Sequence, residues 1–147
     1  MYQNIDLFFQ KKIQRMQDMC CRFIFNTKKS EHCNYEDMRT KLGWLNMKQR
    51  RDLHGLTMLY KVLNGLAPNY LQDMFTFQNQ IHSVNTRGSQ NNNLWIDKCV
   101  KSKVHRESFR YHTPCQYNKL PTHIRNSKSV NSFKSNLTTF LKNNPNF

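Results

Sequence analysis

The sequence predicts a mainly α-helical fold: a small helical bundle with an irregular middle, which holds at most a short hairpin, and a C-terminal docking helix. Apolar residues recur at three- and four-residue intervals in the first half of the chain and again near its end. The chain also contains only 4 Gly and 4 Pro among its 147 residues, which argues against a loop-rich β-sandwich. We therefore divide it into a helical lobe, 1–75, and a basic, loop-rich lobe, 76–147, ending in an amphipathic helix.

The first predicted helix covers residues 5–26. Its apolar side chains are spaced by alternating intervals of four and three and form one stripe, namely Phe9, Ile13, Met16, Cys20 and Phe23. The basic residues Lys11, Lys12, Arg15 and Arg22 lie largely off that stripe. They form either an ordinary solvated face or a face that meets phosphates, and the sequence favours neither.

Three further helices are predicted in the first lobe, at 35–42, 47–64 and 69–75. Asn34 is a good N-cap for the first of them, and Gly43 is a plausible stop. The helix 47–64 has its own apolar stripe, and Gly65 with Pro68 ends it. Its first turns carry three basic residues, Lys48, Arg50 and Arg51, where the helix macrodipole disfavours positive charge. An anionic partner explains that cluster, and so does chance on a solvated surface.

The second lobe is predicted to be irregular over 76–104, with a short hairpin allowed across 81–100. "NKLP" is predicted as a turn and "THIRNSK" as a basic connector. Ser129 then caps a helix over 129–142, whose apolar stripe must dock because an isolated four-turn helix is marginal in water. The predicted core comprises Phe9, Ile13, Met16, Phe23, Trp44, Leu45, Leu53, Leu56, Tyr60, Leu63, Leu120, Phe133 and Leu137.

Net charge is the strongest global signal. The chain has 23 Lys and Arg against 9 Asp and Glu, a formal charge of +14. Residues 1–74 hold 12 basic and 7 acidic side chains, whereas residues 75–147 hold 11 and 2. Such a surplus favours a polyanion, because each neutralised phosphate releases counterions. A solvated basic surface is the alternative.

Chemistry at a metal or nucleophile is not indicated. Cys99, His105, His112 and Cys115 lie close together in sequence, but only the last two form the close pair that a structural zinc site normally shows twice. No glycine-rich phosphate loop or nucleophile elbow is present. We therefore predict no metal, no cofactor and no catalytic residue.

The cellular context is predicted from the cysteines and from the absence of targeting signals. The five cysteines form no disulfide framework, and residues after Met1 do not read as a signal peptide. No apolar segment approaches the roughly 20 residues that cross a bilayer. These features favour an intracellular protein, nuclear or cytoplasmic, without a membrane partner.

Three phrases, in order, carry a resemblance to a known family. "KKIQRMQDMCCRFIF" resembles the "LxxLQxxAxRxIF" helix that lies downstream of the polymerase core in LINE-type (non-LTR) retrotransposon reverse transcriptases. "LGWLNMKQRRDLHGLTMLYKVLNGLAPNYLQDMF" resembles that family's "LxWLxxxxRRxxxxxxxxYKxLNGLAPxYLxDLF". "SFRYHTPCQYNKLPTHIRNSKSVNSFKSNLTTFL" resembles its closing "FxxxAPxLWNxLPxxIRxxxSxxxFKxxLKxxL", with Tyr117 where the family often has tryptophan and Cys115 within the usual Ala-Pro stretch.

The resemblance spans residues 7–141 and implies kinship without activity. The family's palm, with its Y/F-x-D-D aspartates, and its endonuclease would precede residue 1, so no catalytic residue is transferred. We expect a non-catalytic C-terminal fragment of an RNA-directed DNA polymerase that binds RNA or RNA–DNA duplex through phosphates, without sequence preference, and that also meets the missing polymerase core. The alternative is a structural interaction module that docks on a polymerase body without touching nucleic acid.

The predicted phosphate contacts are six basic residues in two groups. They are Lys11, Lys12 and Arg15 on the first helix, and Lys48, Arg50 and Arg51 on the third. Both groups are dense and have few acidic neighbours in the sequence, although Asp52 could neutralise one of them.

Overall fold

The computed structural model describes residues 7–28, 30–81, 88, 91–97, 102–145 and 147. Within those ranges the chain is mainly α-helical, as predicted, and its only β pairing is one isolated antiparallel bridge between Phe77 and Leu94. The described helices are α1 (Leu7–Ile24), α2 (Tyr35–Lys41), α3 (Met47–Leu63), α4 (Asn69–Gln72), α5 (Gln78–Ile81), α6 (Lys103–Arg106), α7 (Phe109–Lys119), α8 (Thr122–Arg125) and α9 (Val130–Asn143).

The predicted helix boundaries are set by side-chain caps and by glycine. The Asn34 side chain accepts hydrogen bonds from the backbone of Glu36 and Asp37, and Ser129 Oγ accepts one from Ser132 N at 3.2 Å. Asn46 and Gln49 form a reciprocal capping box at the start of α3. Gly43 ends α2 at φ +67°, a left-handed conformation that costs glycine little.

Helix α3 lies at the centre, with α9 antiparallel to it. Near the start of α3, Gln49 Nε2 donates to Leu141 O at 2.7 Å, close to the end of α9. Near the end of α3, the Tyr60 ring stacks on Phe133 with centroids 4.3 Å apart, and the Tyr60 hydroxyl donates to Ser127 O. Helices α7 and α1 pack against other sides of α3. The docking expected of the last helix is therefore confirmed.

One hydrophobic core contains side chains from both predicted lobes. Six predicted core residues are buried in it: Leu45, Leu56, Tyr60, Leu120, Phe133 and Leu137. Leu53 and Leu63 pack against it while half-buried. The sequence analysis did not place five further core members there: Leu59, Leu94, Tyr117, Ile124 and Leu141.

The apolar stripe of α1 does not enter this core, so its predicted burial is wrong. Phe9, Met16 and Phe23 are 55%, 66% and 88% exposed, and Ile13 is only half-buried. The polar face that adjoins this stripe lies inward because glutamine side chains attach it to the body. Trp44, also predicted in the core, is 38% exposed, since its neighbour Leu45 occupies the interior instead.

The second lobe is more helical than predicted. The segment predicted as a turn and a basic connector contains the end of α7 and all of α8. Asn118 exchanges two hydrogen bonds with the backbone of Leu94, and the buried Arg125 donates to Asn91 O and Asn93 Oδ1 at 2.9 Å. Arg125 is therefore a structural residue. Much of the predicted hairpin interval lies outside the described residues.

Candidate nucleic-acid interface

The interface between α1 and the start of α3 is polar. Gln14 Oε1 accepts a hydrogen bond from Met47 N at 2.9 Å, and Gln17 Nε2 donates to Leu45 O at 2.8 Å. Gln17 is buried, so this amide satisfies a backbone carbonyl that water does not reach. These bonds fix the rotation of α1 about its axis and thereby decide which of its basic side chains face α3.

Three of the six predicted cations line one open cleft between these helices. Lys11 comes from α1, and Lys48 and Arg51 come from α3; the cleft has a volume of about 300 Å³. Arg51 Nη2 donates to Gln10 Oε1 at 3.1 Å, and the Lys48 ammonium donates to the main-chain oxygen of Phe147 at 2.6 Å. Each cation keeps further N–H donors beyond these bonds.

The other three predicted residues do not line that cleft. Lys12 is exposed and its ammonium lies 4.5 Å from the centroid of the Phe8 ring, a cation–π contact. Arg15 and Arg50 are exposed on α1 and α3. Three of the six predicted residues therefore line one cleft, and the other three are exposed elsewhere on α1 and α3.

Among the described residues, none of these six cations forms an ion pair with an Asp or Glu side chain. Ion pairs there join Arg39 to Asp18 at 2.6 Å and Lys103 to Glu107 at 3.9 Å. Asp52, the predicted neutralising residue, is 5% exposed and forms no ion pair with its basic neighbours. Burial raises the pKa of the Asp52 carboxyl, an effect that nearby His112, Lys48 and Arg51 oppose.

A second, smaller cleft adjoins the first, and the sequence analysis missed it. It has a volume of about 200 Å³, shares Lys48 and Arg51 with the first, and adds Asp52, Glu107 and His112. Burial lowers the pKa of the His112 imidazole, while the Asp52 charge opposes that shift. His112 lies on α7, a helix that the sequence analysis did not predict. No pattern in the sequence therefore indicated that His112 and Asp52 line the same cleft.

The arrangement can hold an anion but does not assemble ligands for a metal. Among the described residues no three His, Cys, Asp or Glu side chains come together as a metal site. Cys20, Cys21, Cys33 and Cys115 are free thiols, and Cys99 of the rejected zinc set lies outside the described residues. None of the described helices has both the length and the apolar character to span a membrane.

Comparison with known proteins gives no relative. The chain matches no protein-family model, no curated protein and no solved structure.

Proposed function

We propose that this chain is a non-catalytic nucleic-acid-binding region that holds RNA or RNA–DNA duplex through its phosphates. The cleft formed by Lys11, Lys48 and Arg51 carries the proposal, because it brings cations from two helices to one open surface where, among the described residues, none of them forms an ion pair with an Asp or Glu side chain. A net charge of +14 adds a field that attracts a polyanion from any direction.

The chemistry of the cleft favours phosphate over base recognition. Ammonium and guanidinium groups bind phosphate oxygens with charge-assisted hydrogen bonds, and such contacts carry no sequence information. Binding should therefore be similar for all sequences and strongly salt-dependent. We further propose kinship with the region that follows the polymerase core in LINE-type reverse transcriptases, supported by the three ordered phrases, and an intracellular location in nucleus or cytoplasm.

The second candidate is a protein-docking module that does not contact nucleic acid. The exposed apolar stripe of α1 favours it, because a large apolar face on a free helix is characteristic of an interaction surface. The two candidates differ in their response to cleft charges. Nucleic-acid binding needs them, whereas docking through apolar side chains does not.

A charge-matched comparison tests the proposal. Lys11→Gln with Lys48→Gln removes two cleft cations, and Lys128→Gln with Lys134→Gln removes two exposed cations beside the far end of α3, where Ser127 and Phe133 contact Tyr60. Fluorescence anisotropy with a labelled RNA–DNA duplex should show the cleft pair weakening binding at least about fivefold more than the control pair. Equal losses would mean that only net charge acts. Absence of binding at low salt would favour the docking module.

A further inference from the structure

The outward face of α1 is the largest feature that the proposed function leaves unused. Six of its large apolar side chains are between 49% and 88% exposed: Phe8, Phe9, Met16, Met19, Phe23 and Ile24. Monomeric proteins rarely expose so many large apolar side chains on one helix, because each leaves apolar surface in contact with water. A face of this kind implies a partner.

The spacing of the stripe fits another helix. Phe9, Met16 and Phe23 lie seven residues apart, and Ile13 and Cys20 fall between them at the alternating four-three interval of a heptad. Side chains at that interval form a narrow seam that inserts into the holes of a facing helix. The 18 residues of α1 correspond to a seam of about 27 Å.

The two edges of the seam differ in charge, and this difference specifies the partner. At roughly 100° per residue, Lys12 borders one edge of the seam and Arg15 lies beyond it, while Gln17 and Gln10 border the other edge and face the body. Both basic side chains are exposed, and neither has a carboxylate partner in the described ranges. A second copy of a chain with charge +14 would bring like charges together. A complementary helix would carry carboxylates along the flank that meets Lys12 and Arg15.

We infer that α1 docks an amphipathic helix of another polypeptide, with a heptad-spaced apolar seam and an acidic flank. The inward glutamines are satisfied by the body through the Gln14–Met47 and Gln17–Leu45 bonds, so they do not need to rotate to accept this partner. The docking surface is preformed. It rests on the exposed seam and not on the nucleic-acid proposal, which is carried by the cleft that Lys11 lines on another side of α1.

A designed peptide probes this surface directly. It has 21 residues, leucine at the a and d positions and glutamate at e and g, and its control has the same composition in scrambled order. Isothermal titration calorimetry at 0.15 M salt should detect binding of the heptad peptide and at least tenfold weaker binding of the scrambled one. Equal binding of the two would reduce the interaction to net charge and would overturn the inference.

Variants then separate the seam from its surroundings. Phe9→Ser with Phe23→Ser removes two seam residues and should weaken peptide binding by roughly 30-fold or more, the size expected when hot-spot side chains are lost. Phe8→Ser with Met19→Ser removes two exposed side chains at the edge of the stripe and should weaken it by less than about fivefold. All four positions are exposed, so both variants should keep the circular dichroism spectrum of the parent.

Two other occupants would give different results, and either would overturn the proposal. If the face binds lipid, the chain should bind vesicles of phosphatidylglycerol and phosphatidylcholine and should not bind the heptad peptide. Both serine pairs should then reduce vesicle binding to the same extent. If it binds a second copy, sedimentation equilibrium should show a dimer that the Phe9 and Phe23 substitutions dissociate. Nucleic-acid binding of the seam variant should stay at the parent level, so failure of this inference leaves the proposed function intact.

Discussion

Replacing Phe133 with alanine should destabilise the protein strongly because its ring is fully buried between α9 and α3. Loss of the transfer free energy of the side chain accounts for roughly 1.5–3 kcal/mol. Loss of the stacked contact with Tyr60, at 4.3 Å between centroids, adds roughly 0.5–1.5 kcal/mol, and the remaining cavity adds more. The expected total is about 3–5 kcal/mol, a large part of the roughly 5–15 kcal/mol that stabilises a typical domain.

The same substitution at Phe23 gives a matched control, since that ring is 88% exposed. Phe23→Ala should change the free energy of unfolding by less than about 0.5 kcal/mol. Urea denaturation followed by circular dichroism measures both, and the Phe133 variant should lower the midpoint without changing the slope. If the two variants lose similar stability, or if Phe23→Ala loses more, then α1 packs through its apolar stripe and the orientation described above is wrong.

Three further predictions concern titration, backbone conformation and a buried amide. Burial lowers the pKa of His112 in the folded protein. The neutral imidazole therefore contributes to stability above the ordinary histidine pKa near 6.5, and this contribution is lost as the pH falls through the lower pKa of the folded state. His112→Gln should flatten the decline of the thermal midpoint below pH 6.5. Gly43→Ala should cost about 1–2 kcal/mol at φ +67°, and Gly43→Asn clearly less, by urea denaturation; equal costs would exclude backbone strain as the cause. Gln17→Leu leaves the buried Leu45 carbonyl unpaired and should cost about 1–3 kcal/mol by the same assay. The exposed Asn131→Leu on α9 should cost less than about 0.5 kcal/mol, and similar losses in the two variants would remove Gln17 as an anchor of α1.

Helices with a strong local signal were predictable from the sequence. Asn34 and Ser129 supply caps, Gly43 and Gly65 supply positive φ, and the stripes of α3 and α9 have a period that only a helix presents on one side. For α3 and α9 the stripe also identified part of the buried face, because the two helices pack against each other from the Gln49–Leu141 hydrogen bond to the Tyr60–Phe133 stack.

The stripe of α1 identified a helix but not its environment. A repeating apolar pattern shows that one face differs from the other; it does not show which face the rest of the chain covers. In α1 the hydrogen bonds of Gln14 and Gln17, together with the Asp18–Arg39 ion pair, attach the polar face to the body. These partners are 21 to 33 residues away in sequence, and no local pattern predicts them.

Helix α7 was not predicted because its sequence shows neither of the two local signals of a helix, a capping side chain and a regular apolar stripe. Pro114 lies inside it, where proline normally ends a helix, and Thr113, Gln116 and Tyr117 share the buried side, so polar and apolar residues are not separated. Tertiary contacts with α3 hold this segment helical against its local preference. The same limit applies to the site: the six cations could be selected by charge, but the cleft that joins Lys11 to Lys48 and Arg51 depends on the packing of α1 on α3.

The salt dependence of duplex binding tests the central claim most directly. The measurement is the affinity for a labelled RNA–DNA duplex, by anisotropy, between 50 and 300 mM salt, with two unrelated duplex sequences. Each phosphate contacted contributes a slope of roughly −0.7 to −0.9 in the logarithmic plot, so the three cleft cations Lys11, Lys48 and Arg51 alone predict about −2 to −3. The account predicts at least that slope, the same for both sequences, and a loss of about two units in the Lys11→Gln, Lys48→Gln variant. A flat salt dependence, or a slope that this variant leaves unchanged, would contradict it.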